Sequence, residues 1–229
     1  MSIRILYEDK HLLVCCKPSG MPSQPDPSGQ ASVLAELARI YPTVRLIHRL
    51  DTPTGGVMVF GRSPQATARL SAMVSDHSIF VKEYIALLSA SPSEESGTWQ
   101  DYLYHDKQKN KSFVTDASRK SCKHASLDYR VLGSTSDGHT LVLVRLHTGR
   151  THQIRVHMAS LGHPLLGDTV YGGGSTRFEK VHASLLDGQA LHARALTLTH
   201  PRTGEEMRFE CPFPENFLKL LDILRNSIS

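Results

Sequence analysis

The chain has 229 residues, with 26 Lys and Arg against 22 Asp and Glu, a formal charge of +4 and a hydrophobic fraction of 40%. This composition is typical of a globular protein with enough chain to bury a core, and it argues against extended disorder. The sequence has no apolar run long enough for a transmembrane helix. Its charged N-terminus lacks the apolar core of a signal peptide. We therefore expect a cytoplasmic protein with a single domain over residues 1–229.

Strand-forming and helix-forming patterns follow one another without a regular alternation. Strands are predicted from β-branched, aromatic and alternating residues at 4–7, 12–16, 57–60, 79–89, 99–104, 125–132, 140–146, 190–199 and 206–210. Helices are predicted at 32–41, at 63–74 with Ser63 as N-cap and Pro64 in the first turn, at 151–161 closed by Gly162, and at 216–224. Many strands with few helices predict an α+β fold with a largely antiparallel sheet.

The positive charge is concentrated in two strips of sequence. Residues 105–124 carry six Lys or Arg against two Asp, and residues 145–157 carry three Arg and three His with no acidic residue. Such strips can follow the phosphates of a nucleic acid while the net charge stays modest. A solvated loop and a polar helix face would explain the same residues, so the strips alone do not identify a partner.

Metal and nucleotide motifs are missing from the sequence. Its four Cys have no CxxC spacing, and His152 and His157 are five residues apart instead of the four that a helical zinc motif requires. No GxSxG, HExxH or P-loop pattern occurs. We expect no metal, no nucleotide cofactor and no disulfide.

Three short segments carry residues suited to chemistry. Asp51 follows His48-Arg49-Leu50 and precedes the turn residues 52–56, where it would be an oriented nucleophile or base, or would cap its own turn. Arg155, on the helix predicted at 151–161, can pair with a buried carboxylate and keep it ionised. Lys82 and Tyr84 lie on one face of a predicted strand, where a tyrosine is ordinarily a packing residue.

Taken together, the segments resemble the RluA-type pseudouridine synthases. The similarity covers residues 3–213 in four ordered pieces, which are ILYED…LVCCKPSG at 5–20, HRLD with TGGV at 48–57, KEY at 82–84 and TGRTHQIRVH…GHPLLGD at 148–168. The C-terminal pattern is matched by LHA at 191–193 followed by THP at 199–201. The resemblance implies a mixed, mainly antiparallel two-lobed sheet with flanking helices and a central catalytic cleft. It also implies isomerisation of uridine in RNA without a cofactor, by breaking the N1–C1′ bond and joining C1′ to C5.

The resemblance also implies roles for individual residues. Asp51 matches the catalytic carboxylate, which can attack the sugar, attack the base or abstract a sugar proton. Tyr84 matches the ring that packs on the target base, and Arg155 matches the arginine that pairs with the catalytic Asp. The remaining matches are to RNA-binding positions: Arg49 would fill the space left by a flipped base, Leu50 would wall the pocket, and Arg150 and Lys17 would contact phosphates.

The expected substrate is an RNA stem-loop of large-subunit rRNA or tRNA, because single-stranded loop bases expose edges that a cleft can read. The resemblance begins at residue 3, so no N-terminal S4-type RNA-binding domain is expected and recognition would fall to the cleft and to cationic strips such as 107–123. We expect a monomer that binds neither membrane nor DNA. Two alternatives stay open: a non-catalytic RNA-binding or RNA-folding protein that keeps the cleft, and a nucleotide hydrolase that releases uracil.

Overall fold

A computed structural model of the chain describes residues 3–76, 78–172, 174 and 176–226. The chain divides into two compact units, Met1–Glu83 with His192–Phe213 and Tyr84–Leu191 with Pro214–Ser229. No helix among the described residues is both long and apolar enough to cross a membrane.

The first unit is built on a sheet with two helices. Its elements are β1 (Arg4–Glu8), β2 (Leu12–Lys17), α1 (Val33–Ile40), β3 (Arg45–Leu46), β4 (Gly55–Gly61), α2 (Pro64–Met73), β10 (Leu191–Thr199) and β11 (Glu206–Glu210). The order β1-β2-β4 is antiparallel, whereas β10 runs parallel to β4 and pairs antiparallel with β11. A core cluster is formed by side chains from β2, β4, α2 and β10, among them Leu12, Val59, Leu70 and Leu198.

The second unit contains an antiparallel meander and three helices. Strand β5 (Phe80–Leu88) leads into it, followed by β6 (Ser96–Asp106), β7 (Lys111–Thr115), β8 (Lys123–Ser134), β9 (Thr140–Leu146), α3 (Gln153–Ser160), α4 (Arg177–Val181) and α5 (Glu215–Arg225). The strands pair in the order β9-β8-β6-β7. Helix α3 packs against this meander through Val156, which joins Leu103 and Ala125 in a buried cluster.

The predicted α+β class and the mainly antiparallel pairing are confirmed, and the cap that Ser63 provides for α2 is present. The catalytic cleft and the single-domain organisation stay predictions. The glycines at 172–174 are typical of a loop, and one of them, Gly173, lies outside the described residues. Four elements among the described residues were not predicted: β3, β7, α4 and a short 3-10 helix at Ala183–Leu185. Each has five residues or fewer, so its hydrophobic period is too short to recognise and its stability comes from its partners.

Gly56 lies where β10 comes closest to β4. Its φ is +130°, and a Cβ atom placed on it would be 2.2 Å from the carbonyl oxygen of Ala193. Ala193 is its register partner in the parallel pair, so neither strand can move away without breaking the pairing. A side chain at position 56 is therefore excluded both by backbone conformation and by space.

His48 replaces a backbone partner where β3 ends. Leu46 is still paired with Phe60 of β4, but two residues later the side chain takes over, and Nε2 of His48 accepts a hydrogen bond from the N–H of Val59 at 3.2 Å. A buried N–H needs an acceptor. The ring supplies it, so the backbone is able to leave the sheet after β3.

Two histidines of the first unit remain neutral because of their surroundings. Burial, with the charge of Lys82 as a second cause, lowers the pKa of His48 to about 3. Burial also lowers the pKa of His192 to about 4, against an opposing hydrogen bond to the carbonyl of Cys211. Both values lie below the ordinary histidine value, so the native state binds fewer protons than the unfolded chain in mildly acidic solution.

We predict that Gly56→Ala lowers the free energy of unfolding by at least about 3 kcal/mol, because it adds a steric clash to an unfavourable φ. Gly204→Ala is the matched control, since Gly204 also has a positive φ of +79° but open space around its Cβ position. Urea unfolding of both variants measures the difference. Equal losses would contradict the close approach of β10.

We predict that acid destabilises the protein through His48 and His192. Stability is fully present above the unfolded pKa near 6.5 and falls as the pH decreases toward the folded values, by up to about 1.4 kcal/mol per pH unit for each histidine. His48→Gln, which cannot take up a proton, should show a shallower loss between pH 6.5 and 4.5 in urea titrations. A slope equal to that of the wild type would show that native His48 is protonated.

Candidate active site

Asp51 lies in a tight turn between β3 and β4. The backbone N–H of Thr54 donates to the carbonyl of Asp51 at 2.9 Å, which closes the turn. We call residues 50–54 the Asp51 turn. The Asp51 side chain is half-buried, whereas its neighbour Leu50 is buried and Arg49 is exposed. The exposed position of Arg49 agrees with its predicted contact with RNA, and that role stays a prediction.

A second segment, residues 17–23, is hydrogen-bonded to the Asp51 turn. The N–H of Gly20 donates to the carbonyl of Thr52 at 2.9 Å, and the hydroxyl of Ser19 donates to the carbonyl of Pro53 at 2.6 Å. We call residues 17–23 the anchor segment. It follows directly on β2, which is paired along its length with β4. The turn is therefore fixed to the strand that leads away from it.

Ser23 closes the anchor at its other end. Its hydroxyl donates to the carbonyl of Leu50 at 2.7 Å and accepts from the N–H of Leu50 at 3.0 Å. The buried hydroxyl of Ser23 thus donates to and accepts from the backbone of the same residue of the turn. This reciprocal pair fixes the backbone immediately before Asp51.

Lys17 is buried and is bonded to the Asp51 turn. Its side chain is 2% exposed, and its ammonium group donates to the carbonyls of Pro18 and Thr52, each at 2.9 Å. Burial lowers the pKa of Lys17 to about 7, and the charge of Asp51 acts in the opposite direction. The ammonium group is thus bonded to backbone carbonyls at the Asp51 turn, and the predicted contact of Lys17 with phosphate stays a prediction.

In the second unit, Arg155 is held by a buried carboxylate. Its Nε donates to Oδ2 of Asp168 at 2.7 Å and its Nη2 donates to Oδ1 at 2.8 Å, which is the bidentate geometry that arginine favours. Asp168 is 1% exposed and also accepts from the N–H groups of Val170 and Tyr171. The sequence indicated a buried carboxylate as a partner of Arg155, and Asp168 is one. Pairing with Asp51 stays a prediction.

Helix α3, which carries Arg155, begins later than predicted. His152 has a left-handed backbone with φ of 56°, and the helix starts at Gln153. The side-chain oxygen of Gln153 accepts from the hydroxyl of Thr148 and from the N–H of Arg150, and its amide donates to the carbonyl of Ser126. This glutamine therefore connects the helix to β8, a role that sequence reasoning missed because its signal is a single polar residue in a helical pattern.

Tyr171 connects Arg155 to strand β7. The guanidinium of Arg155 lies 5.1 Å from the ring centroid, and the tyrosine hydroxyl accepts from the N–H of Ser112 at 2.7 Å. The same hydroxyl is 3.0 Å from Nδ1 of His152. Tyr171 was not predicted as a site residue, and nothing in its sequence context distinguishes it from a loop tyrosine.

Tyr84 and Arg150 complete the set of predicted residues. Tyr84 is buried in β5, and the alternation predicted there is present, because Lys82 is buried while Glu83 pairs with Arg208 at the surface. Nε of Arg150 donates to the carbonyl of His124 at 2.8 Å, which places it beside the cationic strip at 105–124. Their roles toward RNA stay predictions. Among the described residues, no three His, Cys, Asp or Glu side chains are grouped as metal ligands.

The chain is similar to several known proteins. The sequence model of the family described as RNA pseudouridylate synthase matches residues 11–160. The ribosomal large subunit pseudouridine synthase D of Pseudomonas aeruginosa is 38% identical, over 98% of this chain and 72% of the relative. An uncharacterized RNA pseudouridine synthase of Bacillus subtilis, YhcT, is 36% identical over 94% of this chain and 70% of the relative.

A solved structure, the human RNA pseudouridylate synthase domain containing 4, superposes with a TM-score of 0.78 at 28% identity, covering 97% of this chain and 93% of that one. The family match takes in the Asp51 turn, Tyr84 and Arg155, and the structural match extends over nearly the whole chain. The chain therefore belongs to the RNA pseudouridylate synthase family.

Proposed function

We propose that this protein converts uridine to pseudouridine in a stem-loop of large-subunit rRNA or tRNA, with Asp51 as the essential carboxylate. The observation that carries the proposal is the anchored Asp51 turn: residues on both sides of this carboxylate are fixed by the buried groups of the anchor segment. A carboxylate that must meet one atom of a flipped nucleotide needs this kind of preorganisation. Relatives named for the large ribosomal subunit support the rRNA substrate.

The reaction balances without a cofactor. The N1–C1′ bond breaks, a C5–C1′ bond forms, the proton of C5 leaves and N1 acquires one, so no electron is exchanged with another molecule. Asp51 can serve by attacking the sugar, by attacking the base or by abstracting a sugar proton, and each route uses the carboxylate. Tyr84, a buried ring with a hydroxyl, would pack on the base and relay the C5 proton.

Arg155 would supply the catalytic site with a positive charge of fixed position. A buried guanidinium is always protonated, and the bidentate bond to Asp168 fixes its orientation. Arg49 is exposed beside the Asp51 turn, where a planar guanidinium suits the space that an extruded base leaves. Arg150 would contact a phosphate. The expected form is a cytoplasmic monomer, and support for the cytoplasm comes from the ribosomal names of its bacterial relatives.

Asp51→Asn should abolish pseudouridine formation on bulk rRNA and tRNA, by at least about 1,000-fold, because it removes the group that starts the reaction while keeping its shape. RNA affinity should stay near that of the wild type. Asp222→Asn, at an exposed carboxylate of α5, is the matched control and should keep full activity. Retained activity in Asp51→Asn would refute the assignment, and release of free uracil by the wild type would indicate a hydrolase.

Lys17→Met distinguishes positioning from phosphate binding. If the ammonium holds the Asp51 turn, the variant should lose kcat by about 10- to 100-fold while KM and the salt dependence of RNA binding are unchanged. A phosphate contact would instead weaken binding and reduce the salt slope by about one. Steady-state kinetics at two salt concentrations separate the two results, and circular dichroism checks that the variant is folded.

A further inference from the structure

The strands β6, β7 and β8 present aromatic rings on one face. The register places Tyr104 opposite Phe113 and Tyr102 opposite His124. Directly opposite residues in antiparallel strands share a face, as do residues two apart on one strand. These four rings therefore lie on the same side of the three-stranded sheet, and we call them the ring face.

The ring face is open to solvent. Tyr102 is 39% exposed and Phe113 is 36% exposed, and His124 is exposed as well. By contrast, Leu103 and Ser112, which point to the opposite side, are buried against α3 and the loop at 148–152. The strands are thus held from behind, and their large planar groups are presented outward without a covering element among the described residues.

One cation, Arg119, lies over a ring of this face, and a second cation, Lys111, lies nearby. The guanidinium carbon of Arg119 is 3.8 Å from the ring centroid of Tyr104. The ammonium of Lys111 is 5.9 Å from the centroid of Phe113, is closer to that of Tyr171 at 5.0 Å, and donates to the carbonyl of Val170 at 2.7 Å. The backbone of Arg119 is held by two successive turns, because its N–H donates to the carbonyl of Asp116 and its carbonyl accepts from the N–H of Cys122. The local acid Asp106 is engaged with the backbone N–H groups of Gln108 and Lys109 in the hairpin turn. Residues 105–124, which include β7 and its two flanking turns, carry six Lys or Arg against two Asp, so positive charge predominates in this segment.

We propose that the ring face binds a single-stranded segment of the RNA substrate by stacking bases on Tyr102 and Phe113, while Arg119 and Lys111 contact its phosphates. This proposal rests on the proposed function and adds a binding surface to it. Exposed rings on a sheet, interleaved with cations, are what single-stranded RNA requires, since every base has a stacking face and every linkage a negative charge. An apolar protein partner would offer Arg119 no negative charge, so the charge favours RNA.

The probe is a fluorescein-labelled dodecamer of uridine, compared with an abasic dodecamer of the same backbone. Fluorescence anisotropy should show that Phe113→Ala and Tyr102→Ala each weaken binding of the uridine dodecamer by about 5- to 100-fold, and leave binding of the abasic strand unchanged. Val114→Ala is the matched control, because Val114 is also exposed at 39% on the same strand but faces the other way. The control should bind both strands like the wild type, and urea unfolding checks that each variant is folded.

Unchanged binding of the uridine dodecamer by both ring variants would overturn the proposal. An equal loss on the abasic strand would overturn stacking, and displacement of the dodecamer by polyglutamate at equal charge would assign the face to an acidic polypeptide instead. The test does not depend on catalysis. If the wild type makes no pseudouridine but the ring variants lose binding, the proposed function fails and the ring face stands. If the wild type is active and the ring variants bind normally, the proposed function stands and the ring face fails.

Discussion

The anchoring of one turn by buried hydrogen bonds is the interaction on which the rest of the structure depends. The carbonyls around Asp51 accept hydrogen bonds from the ammonium group of Lys17 and from the hydroxyls of Ser19 and Ser23. Each of these polar groups is costly to bury alone and favourable once paired. The strand pair β2·β4 carries the anchor segment and the Asp51 turn on adjacent strand ends, and Gly56 lets β10 close against the same place.

In the second unit, hydrogen bonds likewise fix a charged group, the guanidinium of Arg155. Arg155 is held by Asp168, which is itself fixed by backbone N–H groups, and Tyr171 connects the pair to β7. A site assembled from charges that are fixed before substrate arrives needs little reorganisation during the reaction. On the other side of β6 and β7 lies the ring face, which we propose as a surface for RNA and where Arg119 lies over Tyr104.

The sequence predicted the features that repeat or that carry distinctive chemistry. The long strands, the cap at Ser63 and the turn that contains Asp51 follow from periodicity and turn residues, and the motifs assign the family. The sequence did not predict that Lys17 is buried, because a lysine at a strand end ordinarily reaches solvent and only the carbonyls of a distant turn make burial favourable. Nor could it show that Lys111–Thr115 is a strand, since those five residues pair only because β6 lies beside them.

The central claim is that Asp51, held in its anchored turn, makes pseudouridine in cellular RNA. Mapping pseudouridines across rRNA and tRNA of a deletion strain, complemented with the wild-type gene or with Asp51→Asn, tests it most directly. The account predicts that at least one pseudouridine is lost in the deletion, returns with the wild type and stays absent with the variant. Identical maps for the parent and deletion strains, or restoration of the lost site by Asp51→Asn, would contradict it.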